Sequence, residues 1–219
     1  MKERKLEPIQ FKEAYIQPIR RLVLASSSPR RKELVALLGL SLPVYILPSD
    51  ADESVPEQWS PDRIVEELSV RKALATVSML QDNDEEPSII VGADTIVVLD
   101  GEALGKPKDR DEAYTMLSRL QGRSHEVYTG VACVARESGR TVVKHRKTLV
   151  FMKPLSEETI RRYIATGESD DKAGAYGIQG YGAAIVDRID GCYFNVVGLP
   201  VSLLADMLHE FGIVAFENG

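Results

Sequence analysis

The chain has 219 residues, 44% of them hydrophobic and 27% charged, the balance of a globular domain and not of a disordered or fibrous chain. Its formal net charge of -6 and aromatic content of 6% exclude a broad basic surface or a row of stacking platforms for polymeric nucleic acid. No apolar run approaches the ~18 residues that cross a bilayer, so no membrane association is expected, and at this length one domain is the expected organisation.

The stretch "MKERKLEPIQFKEAYIQPIR" mixes both charge signs and lacks an apolar core segment, so a cytoplasmic protein without a secretory signal is expected. "RRLVLAS" reads as a strand that runs directly into a helix in "SSPRRKELVALLG", with Ser28 as cap, Pro29 in the first turn and Gly39 after the last. "PVYILPS" reads as a second strand. "SPDRIVEELSVRKALATVSML" has Ser60 as cap, Pro61 at the first helical position and apolar residues at helical spacing, which predicts a long helix. "QDNDEEPS" is an acidic surface turn.

"IIVGADTIVVLD" reads as a buried strand, and Asp100-Gly101 supplies the turn of a hairpin returning through "EALGK". "DRDEAYTMLSRLQG" has acids in its first turn and Gly122 after its last, the pattern of a helix. "HEVYTGVACVA" and "TVVKHRKTLVFM" form a strand pair around a short turn. A short helix in "SEETIRRYIATG" precedes the glycine-punctuated loop "DKAGAYGIQGYG". "AAIVDRIDG" and "CYFNVVG" read as a second strand pair, and "LPVSLLADMLHEFG" as a closing helix. Strands and helices interleave, which predicts an α/β sheet with helices on its faces.

Four stretches offer chemistry. In "ASSSPRRKEL" a strand ending in Ser26, Ser27 and Ser28 opens a helix, whose free N–H groups and positive dipole end suit an anion such as phosphate. Arg30 and Arg31 add charge-assisted donors there; an ordinary capped helix with a solvated basic turn is the alternative. No GxxxxGK[ST] is present, so this is not a P-loop. Asp94 stands between two apolar runs that imply burial on both faces, where an unpaired carboxylate is costly. It is expected to face a cation, a water or a basic partner, and Glu33, one turn after Arg30, is a candidate second ligand for a hard cation such as Mg²⁺.

Lys72, Lys106, Lys108 and Lys172 meet a polyphosphate if the fold gathers their loops, and are surface lysines otherwise. Lys106 stands out because a glycine and a proline flank it. In "GAYGIQGYG" the glycines permit close approach to a ligand, and the Gln179 amide pairs a donor with an acceptor, as does one edge of uracil or thymine. His125, His145 and His209 fall in no ligand spacing, and Cys133 and Cys192 in no metal or redox spacing.

Three of these stretches share one pattern. "LASSSPRRKELVALLG", "VGADTIVVLDGEALGKPKDRDEAYTMLSRLQGRSHEVYTGV" and "DKAGAYGIQGYGAAIVDRIDGCYFNVVGLP" closely resemble, in matching order, the Maf family of nucleoside triphosphate pyrophosphatases. The resemblance implies a two-lobed, ITPase-like α/β fold with a mixed twisted sheet, helices on its faces and a central cleft, assembled as a homodimer. It implies that Asp94 is the catalytic acid/base. Arg30, Thr95 and Gln179 match positions linked to pyrimidine choice, and Glu33, Lys72, Lys106 and Lys172 match positions lining the phosphate and metal cleft.

The GIQG form is similar to the branch that hydrolyses dTTP and UTP. The expected reaction gives nucleoside monophosphate and pyrophosphate from these, or from modified pyrimidine nucleotides, with Mg²⁺ or Mn²⁺ held by Glu33 and Asp94. The family is also associated with inhibition of septum formation, so a nucleotide-binding regulator of division without turnover is the rival expectation. Residues 1–20 have no counterpart in the usual short members and are expected as an extension to a single domain over residues 21–219. Ala183-Ala184 replace a bulkier residue common in the family.

Overall fold

The computed structural model describes residues 18–80 and 86–217; most of the expected N-terminal extension and of the acidic turn lies outside them. β1 (Arg21–Leu24) leads into α1 (Pro29–Ala36), followed by β2 (Val44–Ile46) and the long α2 (Pro61–Met79). β3 (Ser88–Leu99) turns through Asp100 and Gly101, both at positive φ, into β4 (Glu102–Leu104). α3 (Arg110–Leu120), β5 (Ser124–Ala135), β6 (Thr141–Met152) and α4 (Glu157–Ala165) come next, then β7 (Val186–Asp190), α5 (Tyr193–Val197) and α6 (Val201–His209).

Among the described residues the strands form one seven-stranded sheet in the order β2-β1-β3-β5-β6-β7, with β4 also on β3. β1 runs parallel to β2 and β3, and the remaining pairings are antiparallel. The chain thus has the expected mixed α/β sheet. Alternation along β3 divides its side chains between layers. Ile89 and Val91 join a core with α1 and α6, and Val97 and Leu99 join a second core with α3 and α4. Ile90 belongs to a third core beneath α2.

Two expectations need correction. "CYFNVVG" is not a strand: residues 193–197 coil into α5, between Gly191 and Gly198 at φ 130° and 123°. The turn of helix carries Asn195 inward, where its amide nitrogen donates to Val127 O and Thr148 Oγ1, both at 3.0 Å. Ser28 and Ser60 occupy the N-cap positions of α1 and α2, but neither side chain makes the capping hydrogen bond.

The site depends most on how β3 is edged. On one side β5 pairs continuously from Ile89 to Val98. On the other, β1 covers residues up to Val91 and β4 begins again at Val97. Among the described residues no strand covers 92–96 on that edge, and Asp94 stands at the centre of the gap.

Candidate active site

A cleft of about 670 Å³ opens at this gap, within the usual size range of small-molecule sites, ~300–1,000 Å³. One lip is residues 25–31, where the chain leaves β1 for α1; the other includes Gly105 and Lys106, just after β4. Among the described residues five basic side chains line it, Arg30, Arg31, Lys72, Lys106 and Lys172, against three acidic ones, Glu53, Asp94 and Asp171. The cleft therefore reverses the sign of the acidic chain as a whole, as an anionic ligand requires.

Asp94 shares the α2 face of β3 with Gly92. Glycines are needed here because α2 lies directly on the strands: a Cβ at Gly92 would stand 2.1 Å from Ser69 O, and one at Gly130 2.1 Å from Val65 O. That close approach brings Lys72 of α2 to Asp94, Nζ to Oδ1 at 2.6 Å. The same ammonium reaches Glu53 Oε1 at 2.7 Å, and its hydrogen bond holds the Glu53 carboxyl below the usual range.

On the opposite face of β3, Thr95 meets α1 and the end of α5. Arg31 donates from Nε to Gly198 O at 2.8 Å, and through its terminal nitrogens to Ala93 O at 2.8 Å and Thr95 Oγ1 at 3.1 Å. Burial pushes this guanidinium below the usual arginine range, with the Asp94 carboxylate opposing the shift. These bonds use Arg31 to fix the floor of the cleft. Arg30 instead stays half-exposed at the rim and pairs across it with Asp171, at 3.6 Å. Burial works to raise the Asp171 carboxyl, but Lys172 and Arg30 together hold it low.

Ser26, Ser28, Arg30, Arg31, Lys72, Asp94, Thr95, Lys106, Lys172 and Gln179 all line this cleft. A bond from Gly174 N to Gly105 O, 3.0 Å, helps join the stretch after β4 to the glycine loop. Glu33 is not brought to them. It is exposed and outside the lining, because α1 meets the cleft only by its first turn and three further residues carry Glu33 about 4.5 Å along the axis. Lys108 is also outside. Glu53 lines the cleft instead and shares Lys72 with Asp94. Its stretch, "SDADES", offers three acids with no pattern to single one out.

The sequence model of the Maf-like protein family matches residues 21–211. The chain belongs to the Maf family. The dTTP/UTP pyrophosphatase of Pelotomaculum thermopropionicum is 51% identical over 194 residues, covering 89% of this chain and 98% of that protein. The proteins of the same name from Desulforamulus reducens and Symbiobacterium thermophilum are each 49% identical, over 195 and 201 residues, covering 89% and 92% of this chain and 98% and 99% of those proteins. Among solved structures, the Staphylococcus aureus Ham1 protein matches with TM-score 0.45 and 15% identity, covering 76% of this chain and 79% of that one.

In this Maf chain the sequence reading also missed Gly198, Ile178 and Tyr176, which complete the cleft wall. Apolar and backbone contributions of this kind leave no mark distinguishable from core packing.

Proposed function

We propose that this chain hydrolyses dTTP and UTP to the nucleoside monophosphate and pyrophosphate. The observation that carries the reading is the break in the edge of β3: it opens an acid, Asp94, into a cleft with a surplus of basic side chains. Gln179, on the glycine loop, lines the same cleft. The names of the close relatives point to the same reaction.

In the proposed mechanism the triphosphate lies among Arg30, Lys106, Lys172 and the first turn of α1, whose unpaired N–H groups favour anions. Lys72 orients the Asp94 carboxylate through its hydrogen bond. Asp94 accepts a proton from a water that attacks the α-phosphorus; the bond from that phosphorus to the bridging oxygen breaks, and pyrophosphate leaves. Charge spreading over the phosphoryl oxygens is met by fixed cations, where such stabilisation contributes most.

Asp94 and Glu53, which share the Lys72 ammonium, are the carboxylates that would hold Mg²⁺ or Mn²⁺, hard cations that take oxygen ligands. Such an ion, when bound, supplies a clamp and a Lewis acid for the phosphoryl oxygens. Gln179 reads the base through its amide donor and acceptor. A cytoplasmic homodimer is the proposed working form. Among the described residues β2 is an edge strand whose three side chains, Val44, Tyr45 and Ile46, are apolar and exposed, and such edges are normally covered.

Incubating the purified chain with the common nucleoside triphosphates and Mg²⁺, and measuring pyrophosphate, tests this reading. Turnover highest on dTTP and UTP is the expected result. Saturable binding without product would favour the regulatory alternative.

A further inference from the structure

We propose that Glu168 is a positioning residue for base selection, acting through the loop that carries Gln179. The inference rests on the pyrophosphatase reading above and deepens it. Glu168 follows α4, and its carboxylate accepts three hydrogen bonds. Oε2 takes the N–H of Tyr181 at 2.8 Å; Oε1 takes the N–H of Gly182 at 3.0 Å and the phenol of Tyr163 at 2.9 Å. The Tyr163 oxygen in turn accepts the N–H of Gly177 at 3.1 Å. A single carboxylate–phenol unit thus grips the loop on both sides of Gln179.

The fit leaves no slack. Gly180 sits at φ +59°, and a Cβ there would lie 2.4 Å from Glu168 Oε2. A Cβ at Gly182 would lie 1.7 Å from Gly177 O, so the loop closes on itself as well as on the carboxylate. No described group holds the Gln179 side chain, which is exposed to the cleft. Its aim is therefore set by its backbone, and its backbone is set by Glu168.

Glu168 also holds the phosphate side of the cleft. Its carbonyl accepts from Lys172 Nζ at 2.7 Å, and the Lys172 stem would stand 2.9 Å from a Cβ at Gly177. The lysine expected to meet the phosphates and the glutamine expected to meet the base are thus referenced to one residue, which fixes their separation. Burial pushes the Tyr163 phenol above its usual range, so it remains an O–H donor to the carboxylate.

The test compares wild type, Glu168→Gln and Tyr163→Phe on dTTP, UTP, CTP and GTP, with hydrogen exchange of the amides of residues 177–182. Glu168→Gln keeps the shape but turns an amide N–H towards N–H or O–H donors. Its expected effect is a loss of about tenfold or more in the preference for dTTP and UTP over CTP, the scale of misplacing one specificity contact. The loss should appear mainly in KM, together with faster exchange in the loop. Tyr163→Phe should shift both in the same direction by less. A folded Glu168→Gln with unchanged preference, or with kcat lowered equally on every nucleotide, overturns the proposal. Should that variant not fold, the preference ratio and loop exchange of Tyr163→Phe decide in the same way. If wild type turns over no nucleotide, the pyrophosphatase reading itself has failed; unchanged exchange in Glu168→Gln would then overturn the clamp separately.

Discussion

Lys72 Nζ lies 2.6 Å from Asp94 Oδ1 and 2.7 Å from Glu53 Oε1, so one ammonium joins an acid of β3 to an acid of the loop after β2. The Asp94 side chain is 10% exposed, and a carboxylate so enclosed needs such a partner. Asp94→Asn keeps the shape and removes the basic oxygen. It should lower kcat on dTTP by about 10²–10⁴-fold, the usual contribution of a general base, while the thermal midpoint stays within a few degrees. Pyrophosphate release at near wild-type rate would remove Asp94 from its role. Lys72→Met should instead cost stability as well, by about 3 kcal/mol, because it strands a buried charge; chemical denaturation measures this.

The Lys72–Asp94 contact exists because two strands carry glycine under α2. Gly130 pairs with Asp94 across β3 and β5, and Gly92 precedes Asp94 by two on the same face. A methyl at Gly130 would stand 2.1 Å from the backbone of Val65, which cannot rotate out of the way. Gly130→Ala should therefore lift α2, destabilise the fold by about 2 kcal/mol or more, and lower turnover beyond what the lost stability explains. Denaturation and kinetics on the remaining folded protein separate the two effects.

These relations show what the sequence made legible. The apolar runs around Asp94 mark burial, and burial of a lone acid demands a partner, so its importance could be argued before any coordinates. That the partner is Lys72 could not, because it depends on how near a helix rides above two glycines. Long periodic elements such as α2 and β3 declare themselves over many residues, whereas α5 has five. Its apolar side chains fit a strand equally well, and the bonds that Asn195 makes to β5 and β6 in the helical form join residues far apart in sequence. Glu33 was misplaced for a related reason. Helical spacing relates it to Arg30 but does not say which turn of α1 reaches the cleft.

Acid should loosen the wall of this cleft through His125. Its Nε2 is 2.6 Å from the hydroxyl of Tyr176, and Nδ1 has no partner among the described residues. Burial lowers its pKa from the ordinary 6.5 to about 4. The unfolded chain takes up this proton near pH 6.5 and the folded chain only near 4. The unfolded state thus binds more protons between those values, and stability falls as pH drops through that window. The full effect is about 3 kcal/mol, at 1.36 kcal/mol per unit. Urea denaturation from pH 7.5 down to 4.5 should show it, and His125→Gln should flatten that part of the slope. An equal slope in both proteins would assign the acid sensitivity elsewhere.

Base choice by Gln179 predicts an asymmetric effect. Gln179→Glu preserves shape but removes the amide donor, leaving two acceptors where the pyrimidine presents a carbonyl. A site that loses a matched hydrogen bond discriminates less, so kcat/KM for dTTP and UTP should fall by about tenfold or more. Because the side chain is exposed, the thermal midpoint should not move. Equal changes on all four bases would sink the assignment.

The second acid of the cleft should be tuned from outside it. Arg71 donates to Ser54 O at 2.7 Å and Asp52 O at 3.3 Å, on either side of Glu53. Ser49 Oγ donates to Lys72 O at 3.0 Å, so the loop is moored to α2 at two places. If Asp94 and Glu53 hold the divalent ion, loosening this mooring weakens the ion without touching the acids. Arg71→Met should raise the Mg²⁺ needed for half-maximal dTTP hydrolysis by about tenfold, as loss of an outer hydrogen-bonding partner typically does. Glu53→Gln should raise it further, and excess Mg²⁺ should recover Arg71→Met more fully than Glu53→Gln. Mg²⁺ titrations of pyrophosphate release read all three proteins. Superimposable curves would mean that Glu53 plays no part in holding the ion, and would leave its contact with Lys72 as a purely structural bridge.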